Sequence, residues 1–308
     1  MTHKHTLLNP TYSKKVLTSY KLSPKGFNFD SFLEAFKALY PGKPMPSTSF
    51  LEWFIGFTEG DGSFTMAKRG DLQIVVTQST IDIQILNYIK DSFGFGSVIP
   101  QSLGQHTHRY VIQDLNNLYL MCLLFNGNLV FPVRNFKFLE FQAALNTKLI
   151  KKSAFPPIVP DLSTVVPTLK DSWLLGFTDA EGCFTASVLK GTTAVRIRFI
   201  LSQKWEINKS VLTHILDLLN EEAGAIKPLG KVVPHSNPGY FELILNGIEN
   251  CNKIHWYFDT FGLKTKKGQS YNKWKILNAA FDKQEHLDPE RRKVLAELSK
   301  DVNGGKFK

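Results

Sequence analysis

Cysteine is scarce in this chain. Only three cysteines occur in 308 residues, Cys122, Cys183 and Cys251, and no two of them form a CxxC pair. The sequence therefore excludes a scaffold held by disulfides and a cysteine-based zinc site, and it suits a reducing compartment. Long apolar runs are also missing. Because a bilayer-spanning helix needs ~20 consecutive apolar residues, we expect no membrane segment.

The composition is otherwise that of a globular protein with a basic surplus. Hydrophobic residues make up 43% and charged residues 21%, which excludes a largely disordered chain. The net charge of +10 favours a polyanionic partner such as nucleic acid. Residues 1–46 carry +5 of it, however, whereas residues 47–150 have a balance of −1. An argument for nucleic-acid binding must therefore rest on local features.

The chain repeats itself. WFIGFTEGDGSFT (residues 53–65) recurs as WLLGFTDAEGCFT (residues 173–185), offset by 120 residues and identical at seven of thirteen positions. In both halves a β-branched run, a helix-like pattern, a second apolar stretch and a basic aromatic segment follow in the same order. The repeat predicts two homologous halves, each with the element order α-β-β-α-β-β-α.

The halves are separated by a proline-rich join. Residues 151–170 contain four of the fifteen prolines, which is typical of a semi-extended linker. We therefore divide the chain into an accessory N-terminal extension (1–46), a first half (47–150), this linker, and a second half (171–308).

Small residues in the two repeated helices indicate a close contact. Gly56 and Gly60 stand four apart, as do Gly176 and Ala180. Glycine inside a helix costs ~1 kcal/mol relative to alanine, so its presence needs a reason. Residues four apart share one helix face and allow a second backbone to approach. We predict that the two helices pack against each other.

The helix ends are also predicted. Ser47 or Ser49 is a plausible N-cap of the first repeated helix. Gly62 and Gly182 stand where a left-handed C-cap would end the two helices.

An acid closes each repeated helix. Asp61 and Glu181 lie where the helix dipole is already negative, which disfavours an anion by roughly 0.3–1 kcal/mol. If the helices cross in register, the two carboxylates also repel each other. A divalent cation would relieve both problems, and Mg²⁺ prefers such oxygen ligands. The helix-end carbonyls of Gly60 and Ala180 could supply further oxygens.

FIGFTEGDG (residues 54–62) and LLGFTDAEG (residues 174–182) resemble the two motif copies of single-chain LAGLIDADG homing endonucleases, and the likeness covers residues ~47–280. The resemblance implies an α+β fold of two αββαββα subdomains about a pseudo-twofold axis. The motif helices would form the interface, and two antiparallel sheets would make a saddle over DNA. Asp61 and Glu181 fall on the metal-binding eighth motif position. Glu59 and Asp179, at the sixth position, are expected to be structural.

The resemblance also implies an activity. The implied activity is metal-dependent cleavage of a long, asymmetric DNA target, in which a monomer makes a staggered double-strand break. This cleavage would support intron mobility. Mg²⁺ is the implied cofactor, with Mn²⁺ or Ca²⁺ as possible substitutes, and the implied location is the mitochondrion of a fungus. Two alternatives remain: a maturase that binds its host intron RNA, and a DNA-binding relative that no longer cleaves. Acids at both eighth positions argue against the second.

Supporting catalytic residues follow from the same resemblance. The family uses polar residues near the strand ends and a lysine from the late basic segment. The matching positions are Gln78 and Gln203, then Lys137 and Lys267, with Lys266 competing with Lys267.

The strands should carry the DNA contacts. In VRIRFILSQ (residues 195–203) a period of two places Arg196 and Arg198 on the face opposite to the apolar residues. Paired arginines on a strand can reach guanine edges or phosphates. Because the first half has fewer such cations, we expect the halves to bind different half-sites. The predicted DNA contacts are Lys68, Arg69, Gln73, Thr77 and Arg109 in the first half, and Lys190, Arg196, Arg198, Lys204, Lys227 and Lys231 in the second.

Overall fold

Two four-stranded antiparallel sheets, each flanked by helices, make up the computed structural model, which describes residues 25–102, 104 and 106–302. The strand orders are β1-β2-β4-β3 and β5-β6-β8-β7, so the second sheet repeats the topology of the first. The predicted α+β fold of two repeated subdomains is confirmed.

The first half and the segment before it comprise α1 (Asp30–Leu39), α2 (Thr48–Asp61), β1 (Gly62–Met66), β2 (Leu72–Ser79), α3 (Ile83–Phe93), β3 (Ser97–Pro100), β4 (Thr107–Ile112), α4 (Leu115–Phe125) and α5 (Pro132–Lys152). The second half comprises α6 (Trp173–Glu181), β5 (Cys183–Val188), β6 (Val195–Lys204), α7 (Lys209–Glu222), β7 (Gly230–Pro234), β8 (Tyr240–Asn246), α8 (Ile248–Asn252), α9 (His255–Phe261), α10 (Lys267–Asp282) and α11 (Pro289–Lys300).

The strands have one buried and one open face. In β6, Ile197, Phe199 and Leu201 are buried, while Arg196 is exposed and Arg198 half-buried on the other face. This alternation follows the period of two in the sequence, because successive strand residues point to opposite sides of a sheet. The helices cover the apolar face, so the opposite face is left open.

The motif helices α2 and α6 pack backbone to backbone. A Cβ added to Gly56 would lie 2.2 Å from the carbonyl oxygen of Trp173, and one added to Gly176 would lie 1.9 Å from that of Trp53. No side chain fits in either place. The predicted packing of the two helices is confirmed. Ser47 caps α2, because its hydroxyl oxygen accepts the Phe50 N–H at 3.2 Å.

The predicted left-handed C-caps are wrong. Gly62 has φ −90° and ψ 163°, and Gly182 has φ −65° and ψ 145°, both extended. Each motif helix continues directly into a strand, so the backbone must be extended there. Glycine is needed for space instead, because a Cβ on Gly62 would lie 2.6 Å from the carbonyl oxygen of Thr58.

The segments outside the repeat pack on the halves. Phe32 and Phe36 of α1 are fully buried in the hydrophobic core that the first half supplies, although the sequence placed them in an accessory extension. Residues 154–169 contain no helix or strand, yet Ile158 and Val165 are buried, and the Val165 N–H donates to Leu129 O at 3.0 Å. Among the described residues, no helix combines the length and apolarity needed to cross a membrane.

We predict that Gly176→Ala lowers the free energy of unfolding by roughly 1–3 kcal/mol, because the new methyl group overpacks the crossing by more than the gain in helix propensity can offset. Chemical denaturation measures this change. Gly42→Ala is the matched control, since a Cβ there meets no atom within 4 Å. Equal stabilities of the two variants would contradict the close crossing.

Candidate metal centre and nucleic-acid interface

The sixth-position acid of the first motif is a buried structural acceptor. Glu59 Oε1 accepts the backbone N–H groups of Val130 and Phe131 at 3.0 and 2.7 Å, just before α5. Its Oε2 accepts the indole N–H of Trp173, in the other half, at 2.6 Å. Burial raises the pKa of Glu59 to about 7, against the lowering effect of these bonds. Glu59 thus ties α5 of its own half to the motif helix of the other.

Asp179 repeats this arrangement in the second half. It accepts the backbone N–H groups of Lys264 and Thr265 at 3.0 and 2.9 Å, just before α10. It also accepts the indole N–H of Trp53, from the first half, at 2.9 Å. Both acids are therefore occupied by donors on both sides of the interface, as a structural role requires.

The eighth-position acids lie side by side at the ends of the crossed helices. Asp61 and Glu181 are half-buried final residues of α2 and α6. A Cβ on Gly60 would lie 3.0 Å from Cγ of Glu181, so the two helix ends are in contact. Burial raises the pKa of Asp61 to about 6, against the lowering effect of Lys267 and Gln78, and the Glu181 carboxylate adds to the rise. Two carboxylates are thus held close together, and the charge of Glu181 disfavours the ionised form of Asp61.

Two cations reach the carbonyl oxygens next to these acids. Lys267 Nζ donates to Ala180 O, and Arg134 donates to Gly60 O at 2.7 Å and to Gly62 O at 2.9 Å. Burial lowers the pKa of Lys267, whereas the carboxylates Asp61 and Glu181 raise it. Burial likewise lowers the pKa of Arg134, against the effect of Glu59, Glu181 and Asp61.

Arg134, and not the predicted Lys137, is the side chain on α5 that reaches the end of the motif helix α2. Lys137 lies one turn further along α5 and is exposed. The helix start explains the difference. Glu59 fixes Phe131 at the N-cap of α5, so the first turn faces Gly60 and the side chain of Arg134 reaches it. In the second half, Lys267 is the first residue of α10 and its ammonium group reaches Ala180 O at the end of α6. Its catalytic role stays a prediction.

The remaining predicted catalytic residues differ between the halves. Gln78 Nε2 donates to Asp61 Oδ2 at 2.5 Å. Gln203, at the equivalent position of the second half, makes a different contact: its Oε1 accepts from Asn208 Nδ2 at 3.4 Å. Lys266 donates its backbone N–H to Asp82 Oδ1 of the first half at 2.7 Å. Of the two competing lysines, Lys267 is therefore the one whose ammonium group reaches a motif end.

The oxygen atoms at the helix ends are suitable ligands for a hard divalent cation. The two carboxylates and the carbonyls of Gly60 and Ala180 present only oxygen, the ligand type that Mg²⁺ and Ca²⁺ prefer. Both carbonyls accept from Arg134 and Lys267 here, so these cations would have to move away before either oxygen could bind an ion. Within residues 25–302, leaving out 103 and 105, no group of three or more His, Cys, Asp and Glu side chains could hold a metal ion. An ion at this place would therefore need further oxygens from water or from a bound phosphodiester.

The open face of the first sheet is polar and nearly neutral. Its cleft is lined by Ser63, Thr65, Gln73, Thr77 and Arg109, among others. Arg109 donates to Gln101 O at 3.1 Å, and Gln73 donates to Gln113 at 3.1 Å.

The β1–β2 turn carries the other predicted contacts of the first half. Lys68 and Arg69 are exposed there, and Asp71 neutralises Arg69 in an ion pair.

The open face of the second sheet is basic. Arg196 and Lys231 are exposed, and Arg198 donates to Asn246 at 3.0 Å. Lys190 and Lys227 are exposed in loops.

An aromatic pair that the sequence reading missed flanks Lys204. Its ammonium lies over the rings of Trp205 and Tyr240, at 4.8 and 5.5 Å from their centroids. Trp205 is 51% exposed. The sequence signal that could have found the pair is a lysine and a tryptophan directly after the predicted strand.

The sequence is similar to intron-encoded proteins of fungi. It is 39% identical over 259 residues to "Probable intron-encoded endonuclease 4" of Neurospora crassa, which covers 82% of this chain and 44% of that protein. It is 22% identical to "Uncharacterized cox1 intron-2 37.2 kDa protein" of Schizosaccharomyces pombe, covering 80% of this chain and 70% of that protein. This chain thus spans less than half of the Neurospora relative.

Solved structures share the fold. The meganuclease I-SmaMI bound to uncleavable DNA superposes with a TM-score of 0.68 at 18% identity, covering 84% of this chain and all of that one. The LAGLIDADG homing endonuclease I-LtrWI, bound to its target DNA, gives a TM-score of 0.65 at 18% identity and covers 85% of this chain.

A protein-family model matches both motifs together with the subdomains that follow them. The LAGLIDADG endonuclease model matches residues 54–145 and again residues 174–278, one match for each subdomain. Each match begins inside a motif helix and extends through the sheet to the helix that carries Arg134 or Lys267. Because the family model matches once in each subdomain and together over more than half of the polypeptide, this chain belongs to the LAGLIDADG endonuclease family.

Proposed function

We propose that this protein is a site-specific homing endonuclease that makes a double-strand break in a long, asymmetric DNA target. The observation that carries the proposal is the pair Asp61 and Glu181, one carboxylate from each half, held together at the crossing of α2 and α6. Packing alone does not require two adjacent anions at two helix ends, where the dipole disfavours each of them. A metal-dependent hydrolase that acts on two strands does.

In this proposal, Asp61 and Glu181 hold Mg²⁺, and the carbonyls of Gly60 and Ala180 become further oxygen ligands once Arg134 and Lys267 leave them for a phosphate. When bound, the ion supplies Lewis-acid polarisation of the phosphodiester and lowers the pKa of bound water. Gln78 fixes the orientation of the Asp61 carboxylate through its side-chain amide. Gln203 has no such contact with Glu181, so the two carboxylates are positioned differently.

Arg134 and Lys267 are the cations that would face the DNA backbone at the centre. In the protein alone they bind the helix-end carbonyls. A phosphodiester brought to the acids would lie within reach of both cations, which could then stabilise negative charge on the phosphate oxygens. Both residues stand at the start of helices that Glu59 and Asp179 fix in place.

The open faces of the two sheets are the proposed DNA-binding surface. The second face presents Arg196, Arg198 and Lys231 and so suits phosphates and guanine edges. The first face presents Gln73 and Thr77, which suit neutral hydrogen bonding to bases. Because the two faces differ, the proposed target is not a palindrome. The protein acts as a monomer in this proposal, since both halves of the centre come from one chain.

Names of relatives suggest where to find the target. Two relatives from Schizosaccharomyces pombe are named for cox1 introns, which favours a mitochondrial gene and a role in intron mobility for this protein as well. We would screen duplexes that reproduce intron-free insertion sites of such genes for Mg²⁺-dependent cleavage. Cleavage of one duplex is expected. Cleavage of none, together with tight binding to structured intron RNA, would favour a maturase and overturn the proposal.

We predict that Asp61→Asn and Glu181→Gln each abolish double-strand cleavage and keep DNA binding, because each removes one anionic ligand without changing the sheet faces. Gel-based cleavage and fluorescence anisotropy on the same duplex measure the two effects. Glu222→Gln, an exposed acid at the end of α7, is the control and should cleave normally. Undiminished double-strand cleavage by either motif variant in Mg²⁺ would rule out the metal assignment.

We predict that Arg134→Ala and Lys267→Ala each slow single-turnover cleavage on the order of 10²-fold, because each removes a cation next to the reacting phosphate. Lys137→Ala is the matched control on α5, and its rate should stay close to that of the unaltered protein. The opposite result, a large loss with Lys137→Ala and little with Arg134→Ala, would restore the assignment suggested by the sequence.

A further inference from the structure

The turn between β5 and β6 closes around a guanidinium group from another element. Arg292, on α11, donates through Nη2 to the carbonyl oxygens of Leu189 at 2.7 Å, Thr192 at 2.5 Å and Ala194 at 3.3 Å. Its Nη1 donates to Thr193 O at 3.2 Å. Four carbonyls of the six-residue turn 189–194 therefore converge on one side chain that is about a hundred residues away in sequence.

The position of Arg292 is fixed by a capped helix, by core packing and by a hydrogen bond to a neighbouring segment. Asp288 caps α11 by accepting the Arg291 N–H at 2.7 Å. Leu295, one turn after Arg292, is 1% exposed and belongs to the hydrophobic core. Nη1 of Arg292 also donates to His286 O at 3.1 Å, which ties the guanidinium to the segment before the helix. The planar guanidinium suits several carbonyls at once and loses little freedom for each bond formed.

The equivalent turn of the first sheet has no such support. Among the described residues, the turn 67–71 hydrogen-bonds only within itself: the Ala67 N–H donates to Asp71 O, the Gly70 N–H donates to Ala67 O, and Arg69 pairs with Asp71. In residues 153–172, all of which the structure describes, no helix corresponding to α11 follows α5. The two halves therefore differ in how firmly their outer hairpins are held.

We propose that Arg292 is a positioning residue that braces the β5–β6 hairpin in its DNA-binding shape before DNA is bound. The hairpin carries Lys190 in its turn and Arg196 on β6, both exposed and both free to contact a half-site. A hairpin ordered in advance loses less conformational entropy on binding, so more of its contact energy appears as affinity and discrimination. The second half-site is consequently bound more stringently than the first.

This inference rests on the proposed DNA-binding function, but its first test does not. Hydrogen–deuterium exchange of the protein without DNA would be compared for the unaltered chain, Arg292→Ala and Arg291→Ala. Arg291 is the matched control, since it is a neighbour on α11 whose guanidinium pairs with Glu285 at 2.7 Å and not with the hairpin. We expect peptides covering 188–195 to exchange at least tenfold faster in Arg292→Ala only. Unchanged melting temperatures would show that the variants remain folded.

The second test uses a duplex cleaved in the screen above, with single base-pair substitutions placed in each half-site. In Arg292→Ala we expect weaker binding of the unsubstituted duplex, by about tenfold, and a smaller penalty for substitutions in the second half-site only. Arg292→Lys keeps the charge but cannot span four carbonyls, so it should resemble the alanine variant.

The outcomes separate the two proposals. Exchange at 188–195 that is equal in Arg292→Ala and Arg291→Ala would overturn the brace whatever the DNA result. Faster exchange with unchanged discrimination, or with equal losses at both half-sites, would overturn the role in specificity. Failure of every variant and of the unaltered protein to bind any duplex would instead refute the proposed endonuclease function and with it the specificity role.

Discussion

The backbone contact between α2 and α6 is the constraint on which the rest of the structure depends. It exists only because Gly56 and Gly176 leave no side chain between the two helices. Because the helices are so close, the indole N–H groups of Trp53 and Trp173 each donate across the interface to the sixth-position acid of the opposite motif. Those same acids fix the starts of the helices that carry the two cations. The helix crossing therefore determines the place of the carboxylates directly and the place of the cations through the sixth-position acids.

Around this symmetric centre the halves diverge. The side-chain amide of Gln78 donates to Asp61. Gln203, its counterpart in the second half, contacts Asn208 instead of Glu181. The open face of the first sheet is neutral, that of the second is basic, and only the second hairpin is tied to a distant arginine among the residues that the structure describes. In the proposed function, two covalently joined halves keep a shared centre while each half adapts to its own part of the DNA target. A homodimer could not vary its two surfaces in this way.

Much of the fold and the middle of the site could be predicted from the sequence. The repeat gave the two subdomains, the glycine spacing gave the helix crossing, and the acids after it gave the candidate metal ligands. The contact of Arg134, rather than Lys137, with the helix end could not be predicted, because several cations lie within one basic segment and the hydrogen bond that Glu59 accepts from Phe131 decides where α5 starts. The contact of Gln203 with Asn208, and the extended conformation of Gly62, likewise depend on neighbours that only the folded chain brings together.

The claim that one carboxylate from each half shares a single centre can be tested most directly by mapping where a bound ion lies. Fe²⁺ would replace Mg²⁺ in the protein, and hydroxyl radicals generated with ascorbate and peroxide would cut the backbone near the ion, with the sites read by mass spectrometry. If the two carboxylates share one centre, cuts are expected near Asp61 and near Glu181 in the same molecule, and excess Mg²⁺ should suppress both. Cuts at one motif only, or at neither while the protein still cleaves DNA, would contradict it.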